Sequence, residues 1–188
     1  VYDPKTVFSS IDRTGRYAYC NQPVITKWNL ARFAECLIPL IDKDQNNAIK
    51  IATEIINSFE KKYEEKWLNM MRDKLGLFGD EKNDQSLILD LLTWMHEVKA
   101  DYTNTFCYLM EQPYVDDQIF ESDSFKQWKN NWDLRVTKEK NYLDVMKKAN
   151  PIFIPRNHLV EDALVEADKG KIDKFNSLID VISKPYSF

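Results

Sequence analysis

Between Asp12 and Arg32 the chain carries its densest run of side chains able to do chemistry. Asp12-Arg13-Thr14-Gly15-Arg16-Tyr17 is followed by Asn21-Gln22-Pro23, then by Trp28-Asn29-Leu30-Ala31-Arg32. Helix formation alone demands none of Gly-Arg-Tyr, Asn-Gln-Pro or Trp-Asn in such close succession. One reading is a buried polar turn running into an amphipathic helix. Arg16 would pair with a carboxylate, while Asn21 and Gln22 tie up loop backbone groups that burial would strand. Trp28 would then anchor the core, its indole N–H satisfied locally.

Other constellations carry less. ATP chemistry needs a phosphate cradle, a neutralising lysine and ligands for metal. Closely spaced glycines let backbone N–H groups approach phosphate oxygens, but Gly15, Gly76, Gly79 and Gly170 are dispersed. His96-Glu97 lacks the second histidine that a zinc protease helix requires, since position 100 is Ala100. His158 with Glu161 offers two ligands where a catalytic zinc takes three from protein. Asp101, Tyr102, Thr103 and Asn104 read as helix-capping chemistry. Trp128 and Trp132, one helical turn apart, read as core, and Lys138, Lys140, Lys147 and Lys148 as a solvated face.

The elements that must position these residues are helical. Residues 1–23 form a looped opening, and residues 24–188 form helices. Trp28, Phe33, Leu37 and Leu40 predict a helix over 26–41, with Thr26 as its cap. From Asp42 or Asp44 one longer helix runs to Gly76, carrying Ala48, Ile49, Ala52, Ile55, Ile56, Phe59, Tyr63, Trp67 and Met71. Leu87 to Val98 is the next stripe, and Asp101 and Thr103 offer caps for a short helix through Met110 that stops near Pro113. An acidic stretch, 116–124, reads as a loop or single turn. Phe125 to Met146 marks another long helix ended by Asn150-Pro151, and two more follow over 156–168 and 171–182. The expectation is an all-α chain, a single compact multi-helix domain of six to eight helices.

Composition sets outer bounds. A chain of 188 residues buries roughly 70% of its unfolded surface. Hydrophobic residues at 44% supply the core, and four glycines fit a helical composition without linkers. The net charge of −4 argues against a nucleic-acid partner, and no apolar run is long enough for a membrane span. Cys20, Cys36 and Cys107 form no disulfide framework and no CxxC pair, which fits a reducing, cytoplasmic location. The chain opens at Val1 rather than Met, which implies a processed or excised product.

The Asp12–Arg32 block resembles the segment after the metal-binding aspartate in the SelO (YdiU) family, kinase-like proteins that transfer AMP to protein hydroxyls. Lys74-Leu75-Gly76-Leu77, Asp101 to Phe106, Asn150-Pro151, Arg156-Asn157-His158 and Lys184-Pro185-Tyr186 resemble later family blocks in the same order. The resemblance implies the helical C-lobe portion of a protein-kinase-like fold. It places the glycine-rich loop, lysine, Asp-Asn pair and metal-binding aspartate upstream of Val1. It also implies ATP and Mg²⁺ in the longer parent, with none expected for this chain alone.

Implied partners are the parent's protein substrates and the upstream portion of the same polypeptide, with self-association of the isolated piece. On this resemblance Asp12, Gly15, Arg16, Tyr17, Asn21, Gln22, Trp28 and Asn29 would shape the surface that receives substrate or seats nucleotide. Cys107 departs from the family pattern, where an arginine is usual. A stand-alone, non-catalytic helical interaction module is the alternative reading.

Overall fold

A computed structural model describes residues 1–112, 118–137 and 140–186. Among them the chain is all-helical, with nine α-helices, two short 3-10 turns and no strand. Two compact units divide it, Val1–Met71 and Arg72–Phe188. Pro113, Asp116, Asp117 and Lys138, which figured in the sequence pattern, lie outside the described residues.

The first unit begins with turns and a 3-10 turn, Tyr19–Asn21, that leads directly into α1 (Gln22–Ile41). The helix starts before Thr26 because Pro23 sits in its first turn, where a missing N–H breaks no helical bond. α2 (Gln45–Asn57) packs on α1 as a helical hairpin, with the Asp44 carboxylate accepting the Asn46 amide at 2.9 Å. Ala48 and Ala52 are its buried residues, and such small side chains allow two helices to approach closely. The expected long helix from there to Gly76 is two helices, because α3 is separate (Phe59–Leu75). At Ser58 the amide donates to the carbonyls of Glu54 and Ile55, both at 3.1 Å, and the hydroxyl donates to Ile55 at 2.7 Å. A hydroxyl bonded back to its own helix competes with the regular ladder and bends it.

The second unit holds α4 (Asp84–Glu97), α5 (Tyr102–Leu109), α6 (Asp123–Val136), α7 (Tyr142–Ala149), α8 (Asn157–Asp168) and α9 (Asp173–Ile182). The long helix expected after Phe125 is likewise two, α6 ending where Thr137 donates its amide to Asp133 at 2.9 Å. These two breaks raise the six to eight helices expected to nine. α4 packs on α6, and α8 on α9.

Ile88, Leu91 and Met95 of α4, Phe106 of α5, Phe125 and Trp132 of α6, and Met146 of α7 are all essentially inaccessible. Each such side chain contributes about 1.5–3 kcal/mol by leaving water. The two α6 indoles stack at 6.2 Å, and their N–H groups donate to Leu87 O and Leu75 O at 2.8 and 2.9 Å. Both tryptophans are core, as the spacing suggested. Gly76 ends α3 with φ +66°, and a Cβ there would lie 2.9 Å from Tyr142. Glycine is therefore required both for the turn and for the close approach of α7. No helix among the described residues is long and apolar enough to cross a membrane.

Candidate functional site

The turn before α1 is organised by Asp12. Its carboxylate accepts the amides of Arg16 at 3.0 Å and Tyr17 at 2.7 Å, closing the loop around Gly15. Gly15 has φ +70°, a conformation that side-chain-bearing residues avoid. The Tyr17 amide first, with those of Arg16, Thr14 and Gly15, holds the Asp12 carboxyl below its ordinary range despite a small opposing effect of desolvation. Asn21 Nδ2 donates to Gly15 O at 2.8 Å, and Gln22 Nε2 donates to Tyr17 O. The Tyr19 and Cys20 amides donate to Thr6 O and Pro4 O, fastening the turn to the opening residues. Asn21 and Gln22 thus tie up loop backbone, as one reading of the sequence had it.

Arg16 and Trp28 depart from that reading. Arg16 is exposed and has no carboxylate partner among the described residues. Its guanidinium carbon lies 4.6 Å from the centroid of the Trp28 ring and 5.7 Å from that of Tyr17. Trp28 is 48% exposed rather than a core anchor, and Arg32 approaches the same ring at 5.5 Å. Phe33 and Leu40, expected in the buried stripe of α1, are 60% and 82% exposed, whereas Ile25 is the buried residue of that helix. Hydrophobic spacing finds a helix's apolar face but says nothing of whether that face is covered. Asp12, Gly15, Arg16, Tyr17, Asn21, Gln22 and Trp28 come together; Asn29 is exposed on α1 and joins none of these contacts.

Sequence reasoning missed an ion network in the second unit. Asp84, 1% exposed, accepts from Arg72 Nε and Arg135 Nε, both at 2.9 Å, and from the Glu81 amide at 3.1 Å. Arg72 also pairs with Asp80, and Arg135 donates to Phe78 O at 2.7 Å. Burial pushes the Asp84 carboxyl up, but the hydrogen bonds from Arg135, the Glu81 amide and Arg72 outweigh it and hold it below normal. The available signal was a pair of arginines, each adjacent to a buried apolar residue, Met71 and Val136.

Asp101 caps α5 by accepting the Asn104 amide at 2.9 Å, as its position suggested, and also pairs with Arg156. Lys74 is nine-tenths buried, its ammonium 4.4 Å from the Phe106 ring centroid. Burial lowers its pKa to about 8, and a smaller electrostatic effect of nearby Cys107 opposes that shift.

A family model described as Protein adenylyltransferase SelO matches residues 1–183. The chain belongs to the SelO family. A protein nucleotidyltransferase YdiU of Pelagibacter ubique is 55% identical across 99% of this chain and 39% of its own length. Those of Alcanivorax borkumensis and Clostridium perfringens are 48% and 46% identical, across 99% and 100% of this chain and 40% and 39% of theirs. The chain therefore spans about two-fifths of the length of these SelO-family relatives.

For the Mg²⁺ that the resemblance implies in the longer parent, no group of three or more His, Cys, Asp or Glu side chains able to hold a metal ion lies among the described residues. The fixed carboxylates are engaged: Asp12 by turn amides, Asp84 by two arginines, and Asp101 by a cap and Arg156. Gly79 and Gly170 each stand in an open turn where an added Cβ meets nothing within 4 Å, so neither marks a close phosphate approach.

Proposed function

We propose that this chain is the helical C-terminal scaffold of a SelO-type protein adenylyltransferase. In the longer polypeptide, ATP and Mg²⁺ would be held by residues preceding Val1. AMP would pass to a Ser, Thr or Tyr hydroxyl of a protein, with release of pyrophosphate. The observation that carries the reading is the family match over residues 1–183 by a chain covering 39% of a 55% identical relative. The engagement of Asp12, Asp84 and Asp101 in structural pairs supports a scaffold role for what is described here. The C-lobe of a kinase-like fold is the corresponding architectural reading, and the chain by itself would be inactive.

The test is label transfer to protein from α-labelled and from γ-labelled ATP with Mg²⁺, by this chain and by the longer polypeptide. Transfer of α-label by the longer polypeptide alone is the expected result. Transfer of γ-label would make it a phosphotransferase. Failure of both would favour a non-catalytic helical module.

A further inference from the structure

Arg16 is the cation whose setting the polar turn does not account for. A guanidinium over an aromatic face is positioned by the ring's quadrupole, which engages none of its five N–H donors. Trp28 holds Arg16 in this way, and the guanidinium finds no acceptor among the described residues. No neighbouring carboxylate pairs with it among the described residues. Lys27 is paired with Glu60 at 3.2 Å and Arg32 with Glu35 at 2.6 Å, while Asp12 is occupied by turn amides. Arg13 is exposed and likewise lacks a carboxylate partner among the described residues.

We propose that the face formed by Arg16 and Trp28 docks an acidic segment of a partner protein, a carboxylate bridging to Arg16 and an adjacent apolar side chain lying on Trp28. The proposal deepens the reading of a protein-modifying parent and rests on it for the identity of the partner as substrate. A carboxylate fits better than a polyphosphate for a specific reason. Phosphate cradles use successive backbone N–H groups, and here the Arg16 and Tyr17 amides are already held by Asp12. Only side-chain donors remain, and without backbone donors a single guanidinium matches one planar carboxylate, not the many oxygens of a polyphosphate.

The test is an NMR titration of this chain, followed at Trp28 Nε1 and Arg16 Nε. The probe is a capped peptide in which glutamates flank a tyrosine, compared with its glutamine counterpart. The expected result is a shift with the glutamate peptide that weakens at high salt, and a loss of about tenfold in affinity in Arg16→Gln. Trp28→Leu, which keeps the cation and removes its aromatic support, should weaken binding less than Arg16→Gln. An equal response to the glutamine peptide, no shift at millimolar glutamate peptide, or unchanged affinity in Arg16→Gln would each overturn the proposal. Tighter binding of inorganic pyrophosphate than of the peptide at the same resonances would also overturn it, in favour of a phosphate site. Binding is read on this chain without any transfer step. Failure of label transfer in the longer polypeptide would therefore sink the adenylyl reading while leaving this surface standing, and the converse holds too.

Discussion

Arginine beside tryptophan occurs in both units, with opposite consequences. In the first unit Arg16 lies over the half-exposed Trp28, in water, with its donors unengaged among the described residues. In the second, Arg135 shares α6 with the buried Trp132, is itself 9% exposed, and directs its donors onto Asp84 and Phe78 O. The difference follows from solvation. A guanidinium in water loses nothing by lacking a counter-ion, whereas a buried one must be neutralised and hydrogen-bonded. The exposed arginine remains available to a partner, and the buried one is committed to the fold.

The strongest way to test this contrast is to remove the shared counter-ion. Asp84→Ala leaves Arg72 and Arg135 buried without it, and should destabilise the second unit by roughly 3–5 kcal/mol. Denaturant unfolding followed through Trp94, Trp128 and Trp132 would read the loss. Replacing Arg72, Asp84 and Arg135 together by apolar residues should recover most of it, since a packed apolar set often matches a buried ion network. A loss below about 1 kcal/mol for Asp84→Ala would mean that water reaches the network and that the contrast is weaker than the burial indicates.

Acid should act on the same carboxylate. The folded-state pKa of Asp84 is below its unfolded value, so its contribution to stability is complete above about pH 4 and disappears as pH falls through the folded value. Asp84→Ala should flatten that part of the acid-unfolding curve.

The glycines extend the comparison to backbone. At Gly15 an added Cβ would meet Val7 and Ala18 at ordinary distances of 3.7 and 3.9 Å, leaving only the cost of φ +70°, about 1 kcal/mol. At Gly76 the same conformational cost adds to a 2.9 Å clash with Tyr142, so Gly76→Ala should cost roughly 2–4 kcal/mol. Equal losses in thermal unfolding would show that α7 yields to the new methyl group.

Much of this was legible in the sequence, for identifiable reasons. Helical periodicity marks α1, α4, α8 and α9 because their apolar spacing is continuous, and Asp44 and Asp101 declare themselves as caps. The break at Ser58 escaped because apolar spacing continues across it and a local hydroxyl contact leaves the period unchanged, whereas that at Thr137 was marked by a wholly polar run from Thr137 to Asn141. The ordered motifs from Asp12 to Tyr186 were enough for the family. Burial was the quantity least available. Trp28 and Trp132 have the same residue type and similar helical settings, yet one is 48% exposed and the other 1%. The ion network escaped for a related reason, since Arg72 and Asp84 are twelve positions apart and Arg135 lies far beyond both. Sequence gives each its charge but not its proximity to the others.

Lys74 sharpens the solvation argument from the other side, being a buried cation resting on an aromatic ring instead of a carboxylate. Its pKa falls to about 8 in the folded chain, below the unfolded value near 10.4. Below pH 8 both states hold the proton, and folding carries the full cost of burying the charge. Between about pH 8 and 10.4 the unfolded state binds more protons, so stability from this group rises with pH. Lys74→Met should therefore stabilise the protein by about 1–3 kcal/mol at neutral pH, the lost contact with Phe106 offsetting part of the gain. That advantage should shrink steadily toward pH 10.4, and parallel stability–pH curves for the two proteins would contradict the account.

The smallest expected effect is the one most specific to the first unit. If Arg16 is held only by the Trp28 and Tyr17 rings and stays solvated, Arg16→Gln removes only exposed cation–π contacts. Folding stability should change by no more than about 0.5–1 kcal/mol, with the turn itself kept by Asp12, Asn21 and Gln22. A loss of about 2 kcal/mol or more would place Arg16 among the structural arginines and remove the premise that its donors are free for a partner. A small loss, together with weakened binding of the glutamate peptide, separates the two roles. An arginine can be dispensable to the fold and still decisive at a surface, because water satisfies it equally well in the folded and unfolded chain, whereas a bound carboxylate engages it only in the folded one.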